Sequence, residues 1–441
     1  MREIRVGLLG CGIVGGGVLR LLELHQKSIE ARLGGRIVIK SVVARDDAKD
    51  RPAELPRELL SFDPDALLAR DDLDVIVEVI GGVEPAGTFV RRAIESGRNV
   101  VTANKALLAA RGHELIELAE QRGVDLYFEA AVGGGIPIIR TLREAVASDR
   151  IVSVRGIVNG TSNYVLTRMR DESMGFDDAI AAAQKAGFAE ADPSLDVDGG
   201  DAAHKLTILA TLAFGARIDP RSVMTESIRP VGAIDIAFAR RFGYVVKQLA
   251  IARDATDDAG RRALDLRVHP ALVRDGTVLA SIGGSLNAIY LEGQALGPCL
   301  LAGHGAGALP TAVSVVSDII DVGRNLLADA SGRVPQRAFP TEALADIPVR
   351  DPGELIFRYY LRFTAHDRPG VLARIAGVLG AFDVSIEQMV QEGRGEAEDR
   401  PVAVVMLTHP ARERDVRRAL KEIDGLASIA EPTRWLRIED R

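Results

Sequence analysis

A glycine-rich turn near the N-terminus places the strongest constraint on how this chain can fold. The apolar residues 4–9 lead into Gly10-Cys11-Gly12-Ile13-Val14-Gly15, and a helix-forming stretch follows. In this setting the first glycine permits a tight turn, the second lets a ligand approach the backbone, and the third allows close helix–strand packing. The turn predicts a dinucleotide whose pyrophosphate lies at the helix N-terminus. The residues expected to contact it are Gly10, Gly12, Ile13, Val14 and Gly15.

Short apolar segments alternate with helical stretches in the first third of the chain. Buried strands are predicted at residues 4–9, 37–43, 75–80, 99–102 and 126–129, and helices at 14–33, 85–96 and 109–122. Strands separated by helices form right-handed βαβ units and a parallel sheet. The fold class is therefore α/β, with a Rossmann-type dinucleotide-binding domain over residues 1–132.

The pattern changes after residue 133. Helices are predicted at residues 136–147, 161–172, 176–186 and 201–214, and strands at 151–158, 244–252, 264–268, 278–282, 286–292 and 298–302. This pattern predicts a second, α+β domain over residues 133–309. A helix at 310–328 is expected to fold back and complete the first domain. The proline-rich residues 331–355 are predicted as a linker, and residues 356–441 as a small α+β module.

Composition excludes several classes of protein. The 441 residues suffice for two or three domains, and 47% hydrophobic with 27% charged residues is typical of a soluble globular chain. A net charge of −7 without a concentrated basic face argues against nucleic-acid binding. No apolar run is long enough to span a membrane, and the glycine-broken start is not a signal peptide. With only Cys11 and Cys299, a reducing, cytoplasmic location is expected.

The end of the second predicted strand bears on the choice of cofactor. An NAD site usually has an acidic residue here that binds the ribose hydroxyls. In this chain Arg45 comes first and Lys49 follows closely, so two cations are available for a 2′-phosphate. NADP(H) is therefore the preferred cofactor, and Asp46 keeps NAD(H) open.

Two segments carry candidate catalytic side chains. Lys105 follows the predicted strand 99–102, at the sheet edge where open α/β sheets place ligands. Asp201 and Lys205 stand four residues apart and thus share one face at the start of an apolar helix. They can form a simple structural ion pair, but the apolar helix beyond predicts that the first turn is partly buried. Burial lowers the pKa of a lysine toward the range that suits proton transfer.

A carboxylate beside a glycine run follows the fifth predicted strand, at Glu129-Ala130-Ala131-Val132-Gly133-Gly134-Gly135-Ile136. Hard cations take oxygen ligands, so this carboxylate and the carbonyls exposed by the glycines could hold a monovalent cation. The alternative is that the glycines only turn the chain.

Together these motifs resemble the homoserine dehydrogenases over residues 4–324. The resemblance implies reversible NAD(P)-dependent conversion of L-homoserine to L-aspartate 4-semialdehyde by a homodimer or homotetramer. It also implies that residues 133–309 serve catalysis, substrate binding and dimerisation. It assigns acid/base catalysis to Lys205, its orientation or that of the substrate to Asp201, substrate binding to Glu190, and a place between cofactor and substrate to Lys105. It also implies a sodium site made mostly of backbone carbonyls. The positions implied are Glu129, Val132, Gly134 and Ile136.

One loop departs from the family's pattern. In Gly303-His304-Gly305-Ala306-Gly307, the family usually has proline where His304 stands. The resemblance places this loop, including Gly305, over the cofactor. His304 is then either a solvated side chain or an added titratable contact near the phosphates or ribose.

The C-terminal module opens with Asp367-Arg368-Pro369-Gly370 between a predicted strand and helix. This opening resembles that of the ACT domains, ferredoxin-like βαββαβ modules that bind amino acids at this turn. The implied effector is L-threonine, although a purely dimerising role fits as well.

Two other functions also fit the chain: another Rossmann hydroxy-amino-acid dehydrogenase, or a non-catalytic sensor of nucleotides and amino acids. An aspartate-semialdehyde dehydrogenase would need a nucleophilic cysteine, and Cys299, in an apolar strand-like stretch, is a poor candidate.

Overall fold

The structure is a computed structural model that describes residues 2–45, 54–257, 259–392 and 401–440. Its N-terminal part alternates strands with helices. The strands are β1 (Glu3–Leu9), β2 (Arg36–Val43), β3 (Leu60–Ser61), β4 (Val75–Glu78), β5 (Asn99–Thr102) and β6 (Leu126–Tyr127). The helices are α1 (Ile13–Leu24), α2 (Gln26–Leu33), α3 (Pro64–Leu68), α4 (Ala86–Glu95) and α5 (Lys105–Arg122). The strands form one parallel sheet in the order β3-β2-β1-β4-β5-β6, which confirms the predicted Rossmann-type fold.

The middle of the chain builds a second, mixed unit. Its helices are α6 (Ile138–Arg140), α7 (Gly160–Glu172), α8 (Phe176–Lys185), α9 (Ser194–Val197), α10 (Gly200–Phe214), α11 (Ala233–Arg241), α12 (Val278–Ser281) and α13 (Ala308–Leu327). Its strands are β7 (Ile151–Ile157), β8 (Met224–Thr225), β9 (Tyr244–Asp254), β10 (Leu264–Arg274), β11 (Leu286–Gly293) and β12 (Gly297–His304). Residues 278–281 are a helical turn rather than the predicted strand, because the Thr277 hydroxyl accepts the N–H of Ala280 and caps it.

Packing places α13 against the first sheet rather than the second. Val315 and Ile319 of α13 share one core with Val18 of α1 and with Val6 and Leu8 of β1. Helices α4 and α5 cover the opposite face of the same sheet. The parallel strands are thus apolar on both faces, as their continuous hydrophobic runs predict.

The C-terminal module has the order βαββαβ, plus a two-residue strand. Its elements are β13 (Ile356–His366), α14 (Val371–Ala381), β14 (Ile386–Glu392), β15 (Pro401–Thr408), β16 (Ala411–Arg412), α15 (Glu413–Asp424) and β17 (Ile429–Glu439). Strand β17 pairs with β13 inside the module and, in parallel, with β10 of the middle unit. One 11-stranded sheet therefore runs through both. Nine of its strands follow the order β12-β11-β7-β9-β10-β17-β13-β15-β14, and off this path β8 pairs with β10 and β16 with β13.

The segment 331–355 lies against the surface of the folded units. Gln336 and Arg337 are buried, and the Gln336 amide donates to the carbonyl of Val124. Further on, the N–H of Ala345 donates to the carbonyl of Gly215, and Arg350 donates to that of Leu264. Among the described residues, no helix is long and apolar enough to cross a bilayer.

Candidate active site

The glycine turn after β1 has the backbone geometry that a dinucleotide requires. Gly10 adopts a φ of +109°, and a Cβ there would meet the backbone of Val79. A Cβ at Gly15 would lie 2.2 Å from the carbonyl oxygen of Gly10, so only glycine allows α1 to approach β1 this closely. At Gly12, by contrast, nothing lies within 4 Å of that position. The turn is closed on the protein side and open on the side where phosphate would bind.

A cavity of about 460 Å³ extends from this turn across the carboxyl ends of β1, β2 and β4. Its lining consists of Gly10, Cys11, Gly12, Val43, Ala44, Arg45, Phe62, Pro64, Val79, Ile80, Pro85 and Phe89. Arg45 is exposed at the end of β2. Lys49, the second predicted cation, lies outside the described residues. Phe62 also lines this cavity and is half-exposed. Nothing in the residues around Phe62 predicted that it would contribute to the cavity.

A buried carboxylate connects this cavity to Lys105. Glu78, at the end of β4, accepts the backbone N–H groups of Ile80 and Gly81 at 2.8 and 3.2 Å. It also accepts the hydroxyl of Thr102 at 2.6 Å, at the end of β5. Asn104 then caps α5 by accepting the N–H of Leu107, which fixes Lys105 as the first residue of that helix. The ends of β4 and β5 are thereby held in register beside the turn.

Asp201 joins the two predicted lysines. Its Oδ2 lies 2.7 Å from the Nζ of Lys205, one turn along α10, and its Oδ1 lies 3.2 Å from the Nζ of Lys105. Lys205 also donates to the carbonyl oxygen of Val158 at 2.6 Å. Burial opposes ionisation of Asp201, but the ammonium groups of Lys205 and Lys105 outweigh it and hold the pKa of this carboxyl well below its usual range.

Asn159 completes this cluster from the strand-to-helix turn after β7. Its amide donates to Asp201 at 2.8 Å and to Asp196 at 2.7 Å, while its carbonyl oxygen caps α7 by accepting the N–H of Ser162. Burial raises the pKa of Asp196, and the charge of Asp201 adds to this effect. Asn159 therefore caps α7 and holds the Asp201 carboxylate at the same time.

Glu190, predicted to bind substrate, stands apart from the lysines. It is exposed in the loop after α8, and its backbone carbonyl accepts the side-chain amide of Gln184. Within the described parts of the chain, its carboxylate forms no hydrogen bond or ion pair with Lys105, Asp201 or Lys205.

The turn after β6 concentrates oxygen atoms. The two carboxylate oxygens of the buried Glu129 each accept a backbone N–H, from Ile139 and Arg140, at 2.8 Å. The carbonyl of Gly134 accepts the Ser314 hydroxyl, and the carbonyl of Ile136 accepts the N–H of Ile138. Each of these oxygens has a further lone pair, so the set fits a hard monovalent cation. No group of three or more His, Cys, Asp or Glu side chains in the described ranges could hold a metal ion.

The loop 303–307 packs onto this same turn. The carbonyl of His304 accepts the N–H of Gly135 at 3.1 Å, and a Cβ at Gly134 would meet the backbone of Gly305. Beyond the loop, α13 begins against α1, since a Cβ at Gly17 would lie 2.4 Å from the carbonyl oxygen of Ala308. The His304 side chain is exposed. The loop therefore spans the gap between the glycine turn of the second unit and the nucleotide-facing helix.

A further cavity lies at the strand-to-helix turn of the C-terminal module. Its volume is about 330 Å³, and residues 365–372 line it together with Gln391, Val402 and Val404. Gly370 caps α14 with a φ of +87°, in the left-handed region that favours glycine. Asp367 accepts the amide of Gln391 at 3.2 Å across the cavity. A carboxylate and helix N–H groups thus face one space.

Sequence comparison gives three matches that together cover most of the chain. The profile described as homoserine dehydrogenase matches residues 137–320, and that of the homoserine dehydrogenase NAD-binding domain matches residues 10–129. The ACT domain profile matches residues 359–427.

Individual relatives agree with these profiles. The chain is 40% identical over 439 residues to the homoserine dehydrogenase of Neisseria gonorrhoeae, covering 100% of this chain and 99% of the relative. A homoserine dehydrogenase structure from Thiobacillus denitrificans superposes with a TM-score of 0.93 at 42% identity, covering 100% of this chain and 99% of the other. A hyperthermophilic archaeal homoserine dehydrogenase in complex with NADPH gives a TM-score of 0.61 at 27% identity, covering 73% and 97%.

Proposed function

This chain belongs to the homoserine dehydrogenase family, and from that premise we propose that it interconverts L-homoserine and L-aspartate 4-semialdehyde with NADP(H). The single observation that carries the proposal is the bridge of Asp201 between Lys105 and Lys205. It sets two ammonium groups beside the carboxyl ends of the nucleotide-binding strands, where a substrate would meet the cofactor.

Lys205 is the proton donor and acceptor. An ammonium has three N–H donors, and two of them are used by Asp201 and the carbonyl of Val158. The third donates to the carbonyl oxygen of the semialdehyde as hydride reaches the adjacent carbon. In the reverse direction the neutral amine takes the proton of the homoserine hydroxyl. The nicotinamide, when bound, supplies and receives the hydride.

Asp201 and Lys105 keep this lysine in place. The ionised Asp201 carboxylate accepts from both ammonium groups and from Asn159, so it fixes the direction of the Lys205 side chain. Lys105 begins α5 beside Glu78 and the nucleotide cavity, and its ammonium faces the boundary between cofactor and substrate. Glu190 lies on an exposed loop, and we assign it to the ammonium group of the substrate.

Arg45 favours the phosphorylated cofactor. It stands at the end of β2, where the ribose of a bound dinucleotide lies, and it also lines the cavity. A guanidinium there forms an ion pair with a 2′-phosphate, which the neutral 2′-hydroxyl of NAD cannot form. NADP(H) is therefore the cofactor that this site suits, with Gly10, Gly12, Ile13, Val14 and Gly15 at the pyrophosphate and Gly305 above it.

A sodium ion is proposed at the turn after β6. Glu129 and the carbonyls of Val132, Gly134 and Ile136 would hold it, because this turn combines one buried carboxylate with glycine-exposed backbone oxygens. The ion would neutralise Glu129 and stiffen the connection between the two larger units.

The C-terminal cavity suits an amino acid, and we propose L-threonine as a feedback inhibitor. Asp367 would bind the ammonium group, and the N–H groups at the start of α14 the carboxylate. A dimerising role without effector binding would leave the rate independent of threonine.

The test is the oxidation of NADPH by the purified chain with L-aspartate 4-semialdehyde, followed by absorbance. The proposal expects turnover, a higher kcat/KM with NADPH than with NADH, and a lower rate when threonine is added. A folded, NADPH-binding protein that does not turn over this substrate would contradict it.

A further inference from the structure

A short segment connects the C-terminal module to the helix that carries Asp201 and Lys205. This connecting segment, residues 224–229, includes β8, which pairs in parallel with β10. One end of it is bound by side chains of the module. The other end is bound to the residues that immediately precede α10.

On the module side, the connecting segment is held by a buried arginine. Arg437 of β17 donates to both carboxylate oxygens of Glu226, at 2.7 and 2.9 Å. The same guanidinium donates to both oxygens of Glu413, at 2.7 and 2.8 Å, and Arg417 lies 3.4 Å from Glu226. Because Arg437 is fully buried and Glu226 supplies one of its two counter-charges, the position of Glu226 depends on the module.

On the opposite side, the connecting segment holds the start of α10. The Ser227 hydroxyl donates to Asp198 at 2.7 Å, Arg229 donates to the same carboxylate at 2.7 Å, and the N–H of Ile228 donates to the carbonyl of Val197 at 2.9 Å. Asp198 precedes Gly199, the N-cap of α10.

Gly199 itself has no room to move toward the connecting segment. Its φ is +86°, and a Cβ there would lie 2.8 Å from the methyl carbon of Thr225. Asp201 stands in the first turn of the helix that starts here. A shift of the connecting segment therefore displaces the first turn of α10, together with the carboxylate that orients Lys205.

We propose that Glu226 is a positioning residue for the reaction: paired with Arg437 of the C-terminal module, it fixes the start of α10 and so the direction of Lys205. The module thus contributes to turnover even without an effector. Any change in the module that moves β17 alters the rate through this segment. The inference rests on the proposed acid/base role of Lys205.

A second contact between the module and the middle unit provides a matched control. Asp440 accepts from Arg358 at 2.5 Å and from the Tyr244 hydroxyl at 3.2 Å. Glu226 and Asp440 are similarly exposed, at 31% and 27% of their side chains, and each pairs with an arginine of the module. Asp440 belongs to the module itself and reaches the middle unit through Tyr244 and through Arg274, 3.7 Å away. Asp440 contacts the start of β9 rather than the connecting segment.

The experiment compares Glu226→Gln, Asp198→Asn, their combination and Asp440→Asn in the full chain. It measures kcat at saturating NADP and homoserine, the KM for NADP from an NADP titration at saturating homoserine, and Tm. Glu226→Gln and Asp198→Asn should each lower kcat about three- to tenfold with KM for NADP unchanged, the size of effect that displaced coupling residues produce. The double variant should lose no more than the larger single loss, because both changes break one connection. Asp440→Asn should retain the kcat of the unaltered chain.

Equal kcat values for Glu226→Gln and Asp440→Asn, or losses that multiply in the double variant, would overturn the positioning role. If Glu226→Gln does not fold, the exposed Asp198→Asn decides by the same criterion. Failure of the proposed function is distinguishable, because the unaltered chain would then show no turnover of homoserine at all.

Discussion

The Nζ of Lys205 lies 2.7 Å from Oδ2 of Asp201 within one turn of α10, and only 10% and 6% of the two side chains are exposed. A buried pair of this kind stays ionised only when further polar partners complete it. Here Lys105, Asn159 and the carbonyl of Val158 do so. The arrangement holds an ammonium in a site from which water is largely excluded.

Lys205→Ala should lower kcat by about 10²–10⁴-fold, because proton transfer to the substrate oxygen loses its donor. Asp201 keeps Lys105 and Asn159 as partners, so the fold should persist. Fluorescence titration should show NADPH binding like that of the unaltered chain. Loss of NADPH binding with the same substitution would instead place Lys205 in the cofactor site.

Arg45→Ala should raise the KM for NADPH by about one to two orders of magnitude, because losing a hydrogen bond to a charged group weakens binding by about that factor. The KM for NADH should stay unchanged. Arg36→Ala serves as control, because Arg36 is an exposed residue at the opposite end of the same strand. Steady-state kinetics with both cofactors measure the effect. Equal changes in the KM for NADPH and the KM for NADH would show that Arg45 does not bind the 2′-phosphate.

Replacing potassium by sodium at constant ionic strength should raise the Tm of the unaltered chain, because a ligand that binds only the folded state stabilises it. Glu129→Gln should abolish this difference, since the amide brings no charge to the cation. Thermal unfolding followed by circular dichroism measures both. An unaltered chain with the same Tm in either salt would argue against the sodium site.

Stability should fall as pH rises through a window set by Asp318. Burial, together with the nearby carboxylate of Glu129, raises the pKa of Asp318 to about 8, whereas in the unfolded chain it titrates near its ordinary value of about 4. The folded chain thus keeps a proton that the unfolded chain releases, so stability declines from about pH 4 and levels off above about pH 8.

Asp318→Asn tests this dependence, because the amide is neutral throughout and its oxygen can still accept the N–H of Glu129. In potassium buffers the Tm of the unaltered chain should drop more between about pH 5 and pH 9 than that of the variant. Parallel Tm curves would mean that Asp318 is already ionised in the folded chain.

Local sequence patterns correctly predicted those features of the fold and the site that neighbouring residues determine. The glycine turn specified its own strand and helix, and the apolar runs specified a parallel sheet covered on both faces. The spacing of Asp201 and Lys205 predicted their ion pair, and the apolar helix beyond them predicted its burial. Each of these features depends on residues close together in the chain.

Features formed by residues that are distant in the sequence were not predicted. The break between α1 and α2 at His25 carries no glycine or proline signal. Nothing in the sequence distinguishes Glu78, the last residue of the apolar strand β4, from other acidic residues. Only the pairing of β4 with β5 brings the Thr102 hydroxyl to its carboxylate. The same holds for Arg437 and Glu226, which are 211 residues apart. Such partners are fixed by topology, which the periodicity of one segment does not encode.

The sheet shared by the middle unit and the C-terminal module also has a consequence for truncation of the chain. Residues 271–273 of β10 donate and accept hydrogen bonds along β17, and the buried Arg267 pairs with Glu439 at the end of that strand. Cutting the chain before β13 would therefore expose an unpaired strand edge and leave the Arg267 guanidinium with Asp265 as its remaining carboxylate partner. A form of this chain that ends before β13 should therefore aggregate through the open edge of β10.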